Sequence, residues 1–214
     1  VATALDGAAA LLGSAAIVYG SWQAYRAVRL KLLVAYSTVA QLGYLFLLFP
    51  LLGGSDAALA AGVMQTIANA FAKAGLFAAA GVAVLATGRD TVAALGGLAG
   101  HLPVTWFAFG FAGVTLMGMP PSGGFLAKWL LIDAAVTSGR WPLIAAVIAG
   151  GLLAAFYVFR ILARAYAPGP KQQPGPRPVP RALEWIALGL AATGFLIGLD
   201  AGVIAALLVH TGAP

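Results

Sequence analysis

The sequence predicts an all-α integral membrane protein of about seven transmembrane helices, one of them broken. Three observations carry this prediction. Of 214 residues, 62% are hydrophobic and only 8% charged, with a mean hydropathy of +0.96, whereas soluble domains carry about 25% charged residues. The apolar residues fall in runs of about 20, the length a helix needs to cross the hydrocarbon, rather than in the alternating ten-residue stretches of a β-barrel. One such region is interrupted by Met119-Pro120-Pro121-Ser122-Gly123-Gly124, and broken backbone at membrane depth is tolerated only where protein or water covers it.

The first segment, about residues 4–25, carries Asp6 near its start and runs into the basic turn Tyr25-Arg26-Ala27-Val28-Arg29-Leu30-Lys31. In the second, about 32–52, the small and hydroxyl residues Ser37, Thr38, Ala40 and Gly43 suit close helix packing. Tyr36, Ser37, Thr38 and Gln41 accordingly read as packing groups. The turn Gly53-Gly54-Ser55-Asp56 offers Ser55 or Asp56 as N-cap. The third segment, about 56–87, is long enough to tilt or kink.

A Gly-rich amphipathic connection, Leu95-Gly96-Gly97-Leu98-Ala99-Gly100-His101, leads to Pro103, which opens a fourth segment ending near Met117. His101 reads as a solvated loop histidine. The fifth segment follows the break and runs to about Thr137. The sixth, about 142–166, opens at Trp141-Pro142 and ends in Phe156-Tyr157-Val158-Phe159-Arg160. Residues 168–181 hold six of the twelve prolines and read as an extended linker. A seventh segment, 182–209, closes the chain, with Glu184 at its start and Asp200 within it. The expected organisation is thus a membrane domain over 1–167, a linker over 168–181 and a terminal transmembrane helix in 182–214.

Composition also excludes function classes. With no cysteine, the chain has no disulfide framework, iron–sulfur cluster or Cys-type zinc site, and its two histidines, His101 and His210, offer little for a haem. No cofactor, metal or catalytic site of its own is expected. The net charge of +6 reads as loop cations meeting lipid headgroups, not as nucleic-acid affinity. Val1 is not a methionine and no charged n-region with a cleavage site follows, so an internal or processed N-terminus is expected. Counting loop cations over seven full crossings sets Arg26, Arg29, Lys31, Arg89 and Arg140 against Arg160, Arg164, Lys171, Arg177 and Arg181, a tie that yields no orientation.

The third segment carries the strongest functional signal. Gln65, Asn69 and Lys73 are spaced by four, so on a helix they form one polar stripe roughly 12 Å long. A cation at that depth is unfavourable by about 2.5–3.5 kcal/mol on insertion scales and normally faces a bundle interior or a water path. Lysine, unlike arginine, can release its proton when desolvated, which suits it to proton transfer. Gln65 and Asn69 read as relay groups that hold waters or as interhelical hydrogen-bond partners; an amide cannot itself carry the proton. Lys128 follows the Pro-Pro-Ser-Gly-Gly break, where freed carbonyls can hold a cation as broken helices do in transporters. Asp133 stands five residues further on, about 140° around a regular helix, as a counter-charge candidate. Lys31 is the third candidate lysine, in a turn where interfacial cations are common.

Three stretches together resemble one family. Lys31-Leu-Leu-Val-Ala-Tyr-Ser-Thr-Val-Ala-Gln-Leu-Gly-Tyr44, Asn69-Ala-Phe-Ala-Lys-Ala-Gly-Leu-Phe77 and Gly118-Met-Pro-Pro-Ser-Gly-Gly-Phe-Leu-Ala-Lys128 are similar, in order and spacing, to the antiporter-like membrane subunits of respiratory complex I, Mrp-type cation/proton antiporters and membrane-bound hydrogenases. The resemblance covers about residues 5–167 and the C-terminal half of such a subunit. It implies a five-helix inverted-repeat unit with flanking helices and a half-channel. It implies that Lys31 is the entry-side lysine, Lys73 the mid-helix lysine and Lys128 the lysine at the broken helix, with the linker side cytoplasmic in a bacterial inner membrane. The implied function is proton translocation within a redox-driven complex such as NADH-quinone oxidoreductase. Sodium or potassium/proton antiport and a purely structural membrane subunit stand as alternatives. The implied partners are the bilayer, other membrane subunits, and the missing N-terminal half or a homologous subunit. Gln65 and Asn69 depart from relatives, which often carry histidine there, and Arg29 stands where relatives have an acid.

Overall fold

The computed structural model describes residues 2–52, 56–169, 175–200 and 202. Ser55, Lys171 and His210, named above, lie outside the described residues. The chain folds into α1 (Ala2–Arg26), α2 (Leu30–Phe46), α3 (Asp56–Thr87), the one-turn α4 (Leu98–His101), α5 (Pro103–Met117), α6 (Gly123–Thr137), α7 (Trp141–Tyr166) and α8 (Arg181–Leu196). Short 3-10 turns cover Phe49–Leu51, Val92–Leu95 and Ile197–Asp200. Five of these helical stretches are long and apolar enough to cross a membrane. The protein is an all-α, multi-pass integral membrane protein.

Over the described residues all seven expected segments are helical, the seventh only to Asp200 because most of 201–209 lies outside them, and the fourth and fifth form the two halves of one crossing. At 15 residues each, α5 and α6 are about 22 Å long, short of the roughly 30 Å hydrocarbon core. The start of α5 lies at the end of the bundle where α3 and α7 finish and α8 begins. There Gly97 N–H donates to the Ala167 carbonyl at 2.7 Å and the Thr105 hydroxyl to Glu184 at 2.9 Å. The far end of α6 lies at the opposite end, where Leu131, Ala134 and Ala135 pack with Leu47, Leu51, Ala58 and Leu143. The interruption between them therefore sits inside the bundle.

Local chemistry explains the interruption. Gly118 takes φ +77° and closes α5 with a Schellman pattern, in which Met119 N–H donates to Val114 O at 3.1 Å and Gly118 N–H to Thr115 O at 3.2 Å. Pro120 and Pro121 cannot continue the ladder. Ser122 then caps α6, its hydroxyl accepting from Phe125 N–H at 3.2 Å. Gly124 packs so closely on Thr115 that a β-carbon there would overlap the Thr115 carbonyl.

The single crossing also resolves the charge tie. Arg26, Arg29, Lys31, Arg89, Arg160, Arg164, Arg177 and Arg181 all gather at one end of the bundle. Arg160 donates to the carbonyls of Tyr25 and Ala27, Arg164 to Ala93, and Arg177 N–H to Ala86. At the other end Arg140 pairs with Asp6 at 3.3 Å. Counting α5 and α6 as two crossings had put Arg160, Arg164, Arg177 and Arg181 on the wrong side.

Two buried clusters fill the bundle. The larger joins Leu33, Leu76, Trp106, Phe109, Leu116 and Tyr157 from α2, α3, α5 and α7. Small residues bring the remaining helices close: a β-carbon on Gly20 would lie 2.5 Å from Ala40 N, and one on Gly75 2.7 Å from Ala191 N. Leu11, Trp22, Phe107, Trp129, Leu152 and Phe156 face outward, as a lipid-facing surface requires.

Candidate functional site

The face of α2 that carries Val34, Ser37, Gln41 and Tyr44 is the common partner of both interior lysines. The spacing of three, four and three keeps these positions on one side of the helix. Ser37, Gln41 and Tyr44 are 0–2% exposed.

Lys73 projects from α3 toward this face and is 7% exposed. Its Nζ donates to Ser37 Oγ and, at 3.4 Å, to the Val34 carbonyl. The Ser37 and Thr38 hydroxyls donate to that carbonyl as well, at 2.8 and 3.1 Å. Two turns before Lys73 on the same stripe, Gln65 Nε2 donates to Gln41 Oε1 at 2.9 Å. Gln41 passes the connection on, its Nε2 donating to the Leu116 carbonyl at 3.1 Å.

That carbonyl is available because Leu116 belongs to the last turn of α5, whose carbonyls lack partners within the helix. Lys128, 6% exposed, donates to the same oxygen at 2.8 Å and sits 4.7 Å from the centroid of the Tyr44 ring. The broken helix thus supplies both the acceptor for Lys128 and the glycine-lined space around it. Among the described residues no carboxylate pairs with either lysine. The two ion pairs among the described residues, Arg29–Asp90 at 3.1 Å and Arg140–Asp6, lie at the bundle ends. Each interior ammonium is held by dipoles: a hydroxyl and a carbonyl for Lys73, a carbonyl and an aromatic face for Lys128.

The structure therefore ties Gln65 and Lys128 into one hydrogen-bonded chain through Gln41 and the Leu116 carbonyl, and sets Lys73 on the same face of α2 through Ser37 and Val34. Asn69 lies between Gln65 and Lys73 on the stripe, and its Oδ1 is buried without a hydrogen-bond partner. Lys31 lies apart, exposed in the first turn of α2, where its backbone N–H donates to Asp90 Oδ1 at 3.0 Å. Asp133 is exposed on α6 and takes part in neither ion pair.

Ser37 and Gln41, expected as packing groups, instead bond Lys73 and Gln65, and Tyr44 and Tyr157 join them without a signal of their own role in the sequence. Part of the signal for Ser37 and Gln41 was present: their spacing of four on α2 matches the spacing of Asn69 and Lys73 on α3, so antiparallel helices that set Ser37 beside Lys73 bring Gln41 level with Asn69, within side-chain reach of Gln65 one turn further on. Tyr157 gives no such signal. It is fully buried on α7, and its hydroxyl faces Ser37 and Gln41 without a hydrogen bond of standard geometry to either.

A family model described as NADH:quinone oxidoreductase/Mrp antiporter, TM, matches residues 3–154. NADH-quinone oxidoreductase subunit N of Desulforudis audaxviator is 36% identical over 185 residues, covering 85% of this chain and 36% of that protein. Among solved structures, the archaeal membrane-bound sulfane sulfur reductase superposes with a TM-score of 0.86 at 25% identity, over 98% of this chain and 42% of the matched chain. The Mrp complex of Dietzia sp. DQ12-45-1b superposes with a TM-score of 0.85 at 23% identity, over 95% and 45%, a likeness of fold. The chain spans less than half the length of these proteins.

Proposed function

The chain belongs to the NADH:quinone oxidoreductase/Mrp antiporter transmembrane family, and from that premise we propose that it moves protons across a membrane through Lys73 and Lys128 as part of a redox-driven complex. The observation that carries this reading is the pair of buried lysines that form no ion pair among the described residues and are tied to one face of α2 by Ser37 and by Gln41 with the Leu116 carbonyl. A structural lysine has no need of such a site, since burying a charge is unfavourable unless its partners compensate. A lysine that alternates between charged and neutral forms uses partners of this kind, which accept a hydrogen bond without fixing a counter-charge.

In this reading protonation alternates between Lys73 and Lys128 as a redox partner shifts neighbouring charges. Lys31 serves entry from the cation-rich end, and Gln65 and Asn69 hold bridging waters. Asp133 acts as counter-charge toward a neighbouring subunit rather than toward Lys128. Residues 1–167 form the translocating unit, 168–181 the connector and 182–214 the terminal helix, which begins as α8 against α3 and α5. The cation-rich end faces the cytoplasm of a bacterial inner membrane, in keeping with the excess of Lys and Arg on cytoplasmic loops. Other membrane subunits complete the path. The test is proton translocation by the assembled complex in vesicles with Lys73→Ala and Lys128→Ala. Each is expected to abolish or strongly reduce it while the complex assembles, and normal translocation in both would refute the proposal.

A further inference from the structure

Lys73 and Lys128 do not touch. The α2 side chains that touch them, Ser37 and Tyr44, stand seven residues apart, or about 10 Å along the helix axis. The side chains that bridge this distance are two amides, Gln41 and Gln65, and an amide does not carry a proton at ordinary pH. A path that relies on them alone stops at Ser37 on one side and at the Leu116 carbonyl on the other.

Tyr157 stands at the gap. It is 0% exposed, it comes from a different helix, and its hydroxyl faces both Ser37, the partner of Lys73, and Gln41, the neighbour of Lys128 through Leu116. Phe would fill the same volume, so packing alone does not call for the hydroxyl. The retained hydroxyl, aimed at the junction of two lysine sites, points to use.

We infer that the Tyr157 hydroxyl is the proton-carrying link between the Lys73 and Lys128 sites. This rests on the translocation reading above. Protonated Lys73 gives a proton to Ser37 Oγ as the serine's own hydrogen, turned away from the Val34 carbonyl, passes to Tyr157 Oη. Tyr157 releases its phenolic hydrogen to a water held by Gln41 beside neutral Lys128, and that water passes one proton to the Lys128 amine. One proton leaves Lys73, one arrives on Lys128, and Ser37, Tyr157 and the water are each left with their original number of hydrogens. Rotation of the two hydroxyls resets the line.

The experiment is proton uptake by vesicles containing the whole assembled complex, with Tyr157→Phe compared with wild type in H2O and D2O. Tyr157→Phe is expected to slow translocation by about tenfold or more, the rate change of about 1.4 kcal/mol in a barrier. It is also expected to enlarge the deuterium effect while the amount of assembled complex is unchanged. Wild-type rate and isotope effect in Tyr157→Phe, with Lys73→Ala and Lys128→Ala inactive, would overturn this inference alone. Normal translocation in the lysine variants would instead overturn the reading beneath it. Should Tyr157→Phe fail to assemble, a fluorotyrosine at position 157 keeps the shape and makes the phenol more acidic. A changed translocation rate and isotope effect supports the link, and values equal to wild type refute it.

Discussion

Replacing Gly118 with alanine tests whether the helix break and the lysine beside it form one device. Gly118 holds φ +77°, and an L-residue in that left-handed region is less stable by about 1–2 kcal/mol. The added methyl would also lie 2.6 Å from Cδ and 3.1 Å from Nζ of Lys128. Lys128 is tethered at 2.8 Å to the Leu116 carbonyl, so the side chain cannot move aside without giving up that bond, and overpacking of this kind is unfavourable by about 1–3 kcal/mol. The two effects together predict about 2–5 kcal/mol of destabilisation. The assay is a double-mutant cycle on thermal melting of the chain within its complex, at about 2–4 °C per kcal/mol for a chain of this size. In the Lys128→Ala background only the backbone effect remains, so Gly118→Ala should lower the melting temperature by roughly half as much as in wild type. If the two substitutions add to within about 0.5 kcal/mol, or if Gly118→Ala melts as wild type, the claimed contact between break and lysine is wrong.

Ser122→Ala removes the cap of α6 and should destabilise the chain by about 1 kcal/mol. Ser122→Thr should recover most of that loss, and equal melting of Ala and wild type would refute the capping role. Orientation can be read directly because the chain has no cysteine. Arg177→Cys should react with an impermeant maleimide only from the cytoplasmic face and Ser138→Cys only from the opposite face, and the reverse pattern would invert the assignment.

The sequence made some of this legible for plain chemical reasons. A lysine in a run of apolar residues is rare, so Lys73 announces itself. Pro120 and Pro121 beside Gly123 and Gly124 cannot continue a helix, so the break is visible as well. The sharing of one crossing by α5 and α6 was not visible, because two apolar stretches separated by a proline turn read as two spans unless their 15-residue lengths are weighed against packing. Ser37 and Gln41 are ordinary residues of membrane helix interfaces. Only the antiparallel register of α2 and α3 turns them into partners of Lys73 and Gln65. Tyr157, within Phe156-Tyr157-Val158-Phe159-Arg160, looks like part of an aromatic segment end, and whether a given ring in such a run faces lipid or the interior depends on contacts far away in the chain. Here Phe156 and Phe159 face outward and Tyr157 is wholly buried.

The role of α2 follows from these placements. Its single polar face meets Lys73 through Val34 and Ser37, and meets Lys128 through Tyr44 and, by way of Gln41, the Leu116 carbonyl. A turn of α2 about its axis by one residue, about 100°, would remove Ser37 from Lys73 and the Tyr44 ring from Lys128 together. A small rotation would weaken both at once. The two lysine sites, whose contacts on α2 lie about 10 Å apart, therefore share one supporting helix. A charge change at either one acts on the helix that supports the other, and the Gly13–Gly43 and Gly20–Ala40 close contacts that clamp α2 against α1 set how far that helix can turn.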